Sequence, residues 1–323
     1  MFLLAGAAAA LVWANVSSST YDSLWTTELS IRLGDHALAL DLRHWVNDGL
    51  MAIFFFVVGL EARREFDLGE LRDRHRVPLP ALAALLGMAL PVAIYLALNA
   101  GSSSADGWGV AMSTDTAFAL GALALVGPRM SNRLRAFMVT VVVVDDLVAL
   151  LVIGVAYTEH LKATSLLVAV VLFGAVLVLR ALEVRRALAY AVLGVATWVA
   201  MHSSGVDPII VGLAFGLITY AYPASREELE RASTTFREFR EQPTPELAAT
   251  ASRTLEGAIS PNDRLARRFH PWSSYVIVPV FALANAGVVI NSDLLSRAFS
   301  SPVTWGIIVG YVVGKPVAVV GRS

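Results

Sequence analysis

The chain has 323 residues, of which 56% are hydrophobic and only 16% are charged, and its formal net charge is −1. This composition excludes a soluble domain of that length, and the absence of cysteine excludes disulfides and thiolate metal sites. Continuous apolar runs favour membrane helices over strands of alternating polarity. We therefore expect an all-α polytopic membrane protein that is surrounded by lipid, binds no nucleic acid and needs no cofactor.

Long uncharged stretches recur along the chain, and most reach the roughly 20 residues that a helix needs to cross a bilayer. Residues 1–16 lack the basic start of a cleavable signal, so we interpret them as a shortened first span. We predict a single transmembrane domain over 1–323. Its ten spans are expected at about 1–16, 45–62, 78–99, 108–128, 136–157, 163–180, 187–203, 206–222, 270–290 and 302–321.

Basic residues are distributed unevenly between the two sets of loops that alternate along this chain. One set, at 63–76, 129–135, 180–186 and 223–269, holds 19 arginines, whereas the other set holds three arginines and Lys162. Short cytoplasmic loops carry an excess of Lys and Arg. The pattern predicts a multi-pass protein of the bacterial inner (plasma) membrane with a cytoplasmic N-terminus.

Two connecting segments have recognisable patterns. Apolar and polar residues alternate on each side of Gly34-Asp35, which predicts a β-hairpin at about 28–42 on the outer side. It would either pack on its own helices or pair two protomers through a sheet edge. Arg and Glu interleave in 223–269, which we interpret as a cytoplasmic connector, helical or partly disordered, without chemistry of its own.

Asp145 and Asp146 lie near the middle of the predicted fifth span. A charge at that depth costs about 2.5–3.5 kcal/mol and indicates a function or a partner. Adjacent helical side chains point about 100° apart, so one can line a cavity while the other meets a neighbouring helix. Mutual repulsion and apolar surroundings favour protonation, so Na⁺ must displace protons in order to bind. The alternative is an ion pair with a structural role.

Lys315 and Asp115 are the other charged groups predicted at membrane depth. Lys315 is one of only two lysines, and a desolvated lysine, unlike arginine, can release its proton. It would otherwise extend from a helix end to the membrane surface. Asp115 follows Thr114 in a polar patch between Gly109 and Gly121, which favours a broken fourth span in which Asp115 neutralises or caps a helix N-terminus.

Polar residues also lie at both ends of the predicted second span. Asp48 lies near its start, and Glu61 and Glu65 lie at or just after its end. They are either interfacial surface groups or part of an ion pathway or pH response.

Six segments, in this order, resemble the NhaA-type sodium/proton antiporters over essentially the whole chain. The resemblance implies an inverted-repeat fold with broken helices. It also implies a secondary active transporter, not an enzyme, which exchanges cytoplasmic Na⁺ or Li⁺ for external H⁺, electrogenically, for pH and sodium homeostasis. The segments are Trp45–Glu61, Ser113–Gly121, Val144–Asp146, His270–Trp272, Pro279–Gly287 and Gly314–Pro316.

The resemblance also implies roles for individual residues. Asp146 would be the main Na⁺ ligand, and Asp145, which also belongs to the cation site, would be the proton-linked acid that pairs with Lys315. Thr114 and Asp115 would lie where two interrupted helices cross. The hairpin would join two protomers into a homodimer.

The expected pH response rests on a further set of positions. Glu61 and Glu65 match family acids at the cytoplasmic entrance. Asp207 stands where well-known members have His, and Ala266 and Arg267 stand where they have Glu-His. These departures concern the residues that would set the pH profile.

Members of the family have twelve spans, and the eleventh crosses the fourth. Because this chain stops after the tenth, we expect the last two spans to be missing and the 323-residue polypeptide to transport poorly or not at all. The alternatives are a truncated non-transporting membrane protein and a cation channel of the same fold. An intramembrane aspartyl protease would place its two acids on different helices.

Overall fold

The computed structural model is mostly helical, as expected for a membrane protein of this composition. Four helices among the described residues are long and apolar enough to span a membrane, namely Leu42–Leu68, Pro78–Asn99, Ala163–Ala181 and Ala187–Ser204. Shorter apolar helices cover Phe2–Val16, Ile209–Ile218 and Pro302–Gly314. The ten spans and the two missing spans stay predictions. The described residues are 2–33, 36–69, 72, 78–112, 132–158, 161–182, 184, 186–222, 225–315 and 317.

The elements of the described residues are numbered in chain order. The first part of the chain forms α1 (Phe2–Val16), α2 (Ser18–Trp25), β1 (Glu28–Leu33), β2 (His36–Asp41), α3 (Leu42–His44), α4 (Met51–Leu68), α5 (Pro78–Asn99) and α6 (Trp108–Met112). The second part forms α7 (Asn132–Ala156), α8 (Ala163–Ala181), α9 (Ala187–Ser204), α10 (Ile209–Ile218), α11 (Arg226–Glu241), α12 (Pro245–Ala258), α13 (Pro261–Trp272), α14 (Val278–Asn285), α15 (Ser292–Ser300) and α16 (Pro302–Val309). Single π-helical turns cover Trp45–Leu50, Ser273–Ile277 and Gly310–Gly314.

The predicted β-hairpin is confirmed. Strands β1 and β2 are antiparallel, with Glu28 opposite Asp41, and the two residues at the tip lie outside the described part of the chain. Leu40 of β2 belongs to an apolar cluster with Trp198 of α9 and Val211 of α10. Strand β2 therefore packs on the protein's own helices, and pairing of protomers through the hairpin stays a prediction. We call this side of the molecule the hairpin end.

Helices α4 and α10 cross closely because glycines line their contact. A Cβ at Gly212 would lie 1.8 Å from the carbonyl oxygen of Ala52, and one at Gly216 would lie 2.4 Å from that of Phe56. Small residues allow such backbone approach between membrane helices. Leu213 of α10 is also buried in a cluster with residues of α7, so this crossing supports the helix that carries the two central aspartates.

The helix of the predicted ninth span ends at Asn285, before the expected boundary, and 286–290 are not helical. The side chain of Asn15 in α1 forms hydrogen bonds with backbone groups of this non-helical segment. Its side-chain amide donates to the Val288 carbonyl oxygen at 2.9 Å and accepts from the Ile290 amide at 2.8 Å. A side chain distant in sequence thus satisfies the backbone beyond the helix end, which apolar composition does not reveal.

Asn285 also connects its helix to the π-helical turn before α4. The Asn47 Nδ2 donates to Asn285 Oδ1 at 3.2 Å, and Asn285 Nδ2 donates to Asn47 Oδ1 at 2.7 Å. Side-chain amides of this kind connect helices in membrane proteins.

Residues 226–269 form α11, α12 and most of α13, and α11 packs against α12. Ser260 caps α13 by accepting a hydrogen bond from the Asp263 amide at 3.1 Å. The buried Asn262 donates to the carbonyl oxygens of Leu60 at 2.9 Å and Thr219 at 3.1 Å. The start of α13 is thereby joined to α4 and to the residue after α10, and we call this side the connector end.

Candidate functional site

Asp145 and Asp146 lie within α7, a helix that continues through a run of four valines. Valine disfavours helices in water, but a chain in lipid must satisfy its backbone internally and therefore stays helical. Asp145 is only 7% exposed, and Asp146 is half-buried. Val143 and Leu147, each two residues from Asp145 in the chain, are buried and apolar.

Lys315 lies beside Asp145. Its Nζ is 3.8 Å from Asp145 Oδ2, and the side chains are 19% and 9% exposed. The two groups form an ion pair, but the distance is longer than that of a direct hydrogen bond. Two carboxylates and one ammonium meet here, so the fully ionised trio carries one net negative charge.

Tyr311, one helical turn before Lys315, contacts the same ammonium group. Lys315 Nζ lies 4.9 Å from the centroid of the Tyr311 ring, within the range of a cation–π interaction. The Tyr311 hydroxyl donates to the carbonyl oxygen of Val110 in α6 at 3.2 Å. The ring is therefore held at one edge by α6 and presents its face to the ammonium.

The π-helical turn that carries Tyr311 packs tightly on α5. A Cβ added at Gly310 would lie 3.3 Å from Pro91 atoms, and one added at Gly314 would lie 3.1 Å from Ile94 Cδ1. Pro91 is inside α5 and buried. These glycines let the turn approach α5 closely, and π-helical turns are frequent at functional sites.

Thr114 and Asp115 lie outside the described residues, so their positions stay predictions. The described part of this region ends with α6. Its start is fixed by Tyr157, whose hydroxyl donates to the Asp106 carbonyl oxygen at 2.6 Å and accepts from the Gly109 amide at 2.9 Å.

Asp48 and Asp207 belong to a second polar cluster, at the hairpin end. Asp48 Oδ2 is 3.3 Å from His202 Nδ1, and the Asp48 carbonyl oxygen accepts from Trp198 Nε1 at 3.0 Å. The imidazole of His202 stacks on Trp198. Asp207, in the turn between α9 and α10, accepts from the Ile209 amide at 3.0 Å.

Burial raises the pKa of the Asp207 carboxyl above its ordinary value. The Ile209 amide opposes this shift, and the negative charge of Asp48 adds to it.

Glu61 and Glu65 lie toward the connector end of α4. Glu61 Oε1 is 3.8 Å from His270 Nε2, which joins α4 to α13. The Glu65 carboxylate folds over Gly69, where a Cβ would overlap it. The nearby Arg64 and Asp263 approach to 3.6 Å. The two glutamates thus have different surroundings.

Three residues of these clusters were not among the sequence-based candidates. Tyr311 had a visible signal, since it precedes Lys315 by four residues and shares its helix face. His202 precedes Asp207 by five residues, but nothing in that spacing indicates Asp48, 154 residues earlier in the chain, as its partner. For Asn262, the only signal in the sequence is its position two residues after Ser260, which caps α13.

Comparison with known proteins gives consistent results. The sequence model of the family described as Na⁺/H⁺ antiporter 1 matches residues 1–323. The Na⁺/H⁺ antiporter NhaA 1 of Salinispora arenicola is 57% identical over 321 residues, which are 99% of this chain and 49% of that protein. NhaA 1 of Mycolicibacterium gilvum is 44% identical over 322 residues, which are 99% of this chain and 52% of that protein.

The Na⁺/H⁺ antiporter NhaA 3 of Frankia alni is 43% identical over 316 residues, which are 98% of this chain and 68% of that protein. The chain thus spans about half the length of the first two of these curated relatives. Its apolar helices and its family together support a multi-pass membrane protein. The chain belongs to the Na⁺/H⁺ antiporter 1 family.

Proposed function

We propose that this chain forms the transport unit of an electrogenic sodium/proton antiporter that exchanges cytoplasmic Na⁺ or Li⁺ for external H⁺. One observation carries the proposal: two adjacent acids in a mid-helix apolar environment lie beside one lysine, with 3.8 Å between Lys315 Nζ and Asp145 Oδ2. Family membership and the printed names of the relatives support the same activity.

The mechanism follows from competition for the carboxylates. Asp146, half-buried on α7, is the main cation ligand, and Asp145 accepts either the Lys315 ammonium or part of the cation's coordination. Carboxylate oxygens suit a hard cation such as Na⁺, and protons neutralise the same oxygens. Because charged, empty carboxylates in lipid are costly, the site crosses between the two sides only when it holds Na⁺ or protons. Thr114 and Asp115 would complete the site at the crossing of the broken helices.

We further propose that the connector end faces the cytoplasm in the bacterial inner membrane, as does the N-terminus. The arginine-rich loops support this orientation. Glu61 and Glu65 then lie toward the cytoplasmic entrance, and Asp48 and Asp207 lie toward the external side. The protein would contribute to pH and sodium homeostasis.

Proton flux in everted membrane vesicles tests the exchange. We expect sodium or lithium, but not potassium, to drive proton movement, and Asp146→Asn to weaken the apparent Na⁺ affinity by about 10- to 100-fold because a charged ligand is lost. Asp293→Asn, at an exposed position, is the matched control. The assay compares the 323-residue chain with a chimera in which the chain replaces the matching segment of the Salinispora arenicola relative.

Two outcomes would contradict the proposal. Absence of cation-dependent proton flux even in the chimera would leave a non-transporting membrane protein. Sodium current without proton movement would instead indicate a channel.

A further inference from the structure

We infer that Tyr311 is a positioning residue that sets the distance between the Lys315 ammonium and the aspartates of α7, and thereby the affinity for Na⁺. This inference rests on the proposed function, because it assigns Na⁺ to Asp145 and Asp146. It concerns an uncharged residue that contacts the ammonium group of Lys315. Its basis is the position of one ammonium group between a carboxylate and an aromatic face.

The Lys315 ammonium lies between the Asp145 carboxylate and the Tyr311 ring. Its Nζ is 3.8 Å from Asp145 Oδ2 and 4.9 Å from the Tyr311 ring centroid. An unrestrained ammonium would approach a carboxylate to about 2.7–2.9 Å, the length of a charge-assisted hydrogen bond. The aromatic face and the Asp145 carboxylate thus attract the same ammonium group.

The ring itself is fixed from two directions. The Tyr311 hydroxyl bonds the Val110 carbonyl oxygen at 3.2 Å, which holds the ring against α6. Gly310 and Gly314, on either side of Tyr311 in the π-helical turn, pack on α5 around Pro91. The close packing of this turn on α5 therefore sets where the ring lies, and the hydroxyl bond to α6 adds to that restraint.

No other described charge opposes this arrangement. Neither α5 nor α6 contains a charged residue. In the described part of the chain, the acids that attract the ammonium are Asp145 and Asp146 of α7. Loss of the aromatic face removes one of the contacts that hold the ammonium. We expect the ammonium then to move closer to these carboxylates and to compete more strongly with Na⁺.

The test is Na⁺ binding to the purified protein by isothermal titration calorimetry, together with the flux assay. We expect Tyr311→Leu to raise the Na⁺ dissociation constant and the KM for Na⁺ about three- to tenfold, as loss of a partly desolvated cation–π contact implies, without a comparable loss of maximal rate. Tyr311→Phe, which keeps the aromatic face, should remain within about twofold of the wild type. Val312→Leu, at the adjacent exposed position, is the control.

The possible outcomes separate this inference from the proposed function. Unchanged binding in Tyr311→Leu, or equal weakening in Tyr311→Phe and Tyr311→Leu, would overturn the positioning role. A wild type that binds Na⁺ but drives no proton flux, with binding still weakened in Tyr311→Leu alone, would overturn antiport and retain the positioning role. A wild type that binds no Na⁺ would overturn both.

Discussion

Asp145 and Asp146 are neighbours in sequence but differ in their surroundings. Asp145 is 7% exposed and lies next to Lys315, whereas Asp146 is half-buried. The 100° rotation between adjacent helical residues accounts for this difference. A single helix can therefore present one acid to a lysine and the other to an arriving ion.

Asp207 gives a pH-dependent prediction at the residue scale. Burial raises its pKa, so the folded protein binds this proton more tightly than the unfolded chain does. The folded state therefore loses relative stability as the pH rises from the ordinary aspartate value through the raised one. Asp207→Asn keeps an acceptor for the Ile209 amide and should raise the melting temperature in detergent by about 2–4 °C at neutral and alkaline pH.

The advantage of Asp207→Asn should disappear below about pH 4, where the aspartate is protonated in both states. Asp106→Asn, at an exposed position, should show no such pH-dependent difference. A stability gain that is equal at acidic and alkaline pH would contradict the explanation by ionisation.

At the scale of elements, backbone contact between helices depends on particular glycines. Gly212 of α10 meets the backbone of α4, whereas Gly174 of α8 has no atom within 4 Å of an added Cβ. The two glycines are both helical and differ mainly in what surrounds them. Comparing the same substitution at both positions therefore distinguishes the effect of helix propensity on stability from the effect of packing.

We predict opposite effects of alanine at these two positions. Gly212→Ala should lower the free energy of unfolding by about 1–3 kcal/mol because its Cβ would lie 1.8 Å from the Ala52 carbonyl oxygen. Gly174→Ala should be neutral or stabilising by up to about 1 kcal/mol, since alanine favours helix. Reversible unfolding in mixed micelles measures both. Equal effects would show that the crossing tolerates the extra methyl group.

The sequence predicts elements well where composition alone decides them. The uncharged stretch 78–99 was predicted with the bounds that α5 has. The end of α14 was not predicted, because Asn15, 270 residues earlier than Asn285, bonds the chain that follows it. Local periodicity contains no information about such a partner.

At the scale of the whole molecule, polar clusters lie at two ends with the central acids on α7 between apolar stretches. His202 and Asp48 meet at the hairpin end, and Glu61 and His270 meet at the connector end. The acids were recognised from their unusual depth in apolar sequence, and Lys315 was proposed as their partner from the family resemblance. Contacts such as Asp48 with His202 depend on helix packing, and hydropathy does not reveal which helices meet.

The hairpin provides a prediction about assembly. Leu29 and Ile31 of β1 are 50% and 57% exposed, and an exposed sheet edge is suited to pairing with a second strand. If two protomers join there, Leu29→Lys combined with Ile31→Lys should convert a dimer into a monomer. Light scattering after size-exclusion chromatography measures this change.

Ser30→Lys is the matched control, because alternate residues of a strand face opposite sides. It should leave the dimer intact. A dimer that survives the double lysine variant would place the protomer contact elsewhere.

The reciprocal bond between Asn47 and Asn285 has a consequence for movement. Amides do not ionise, so this link joins the π-helical turn before α4 to the end of α14 with the same strength in acid and in alkali. The two segments should consequently stay joined when the acids elsewhere gain or lose protons.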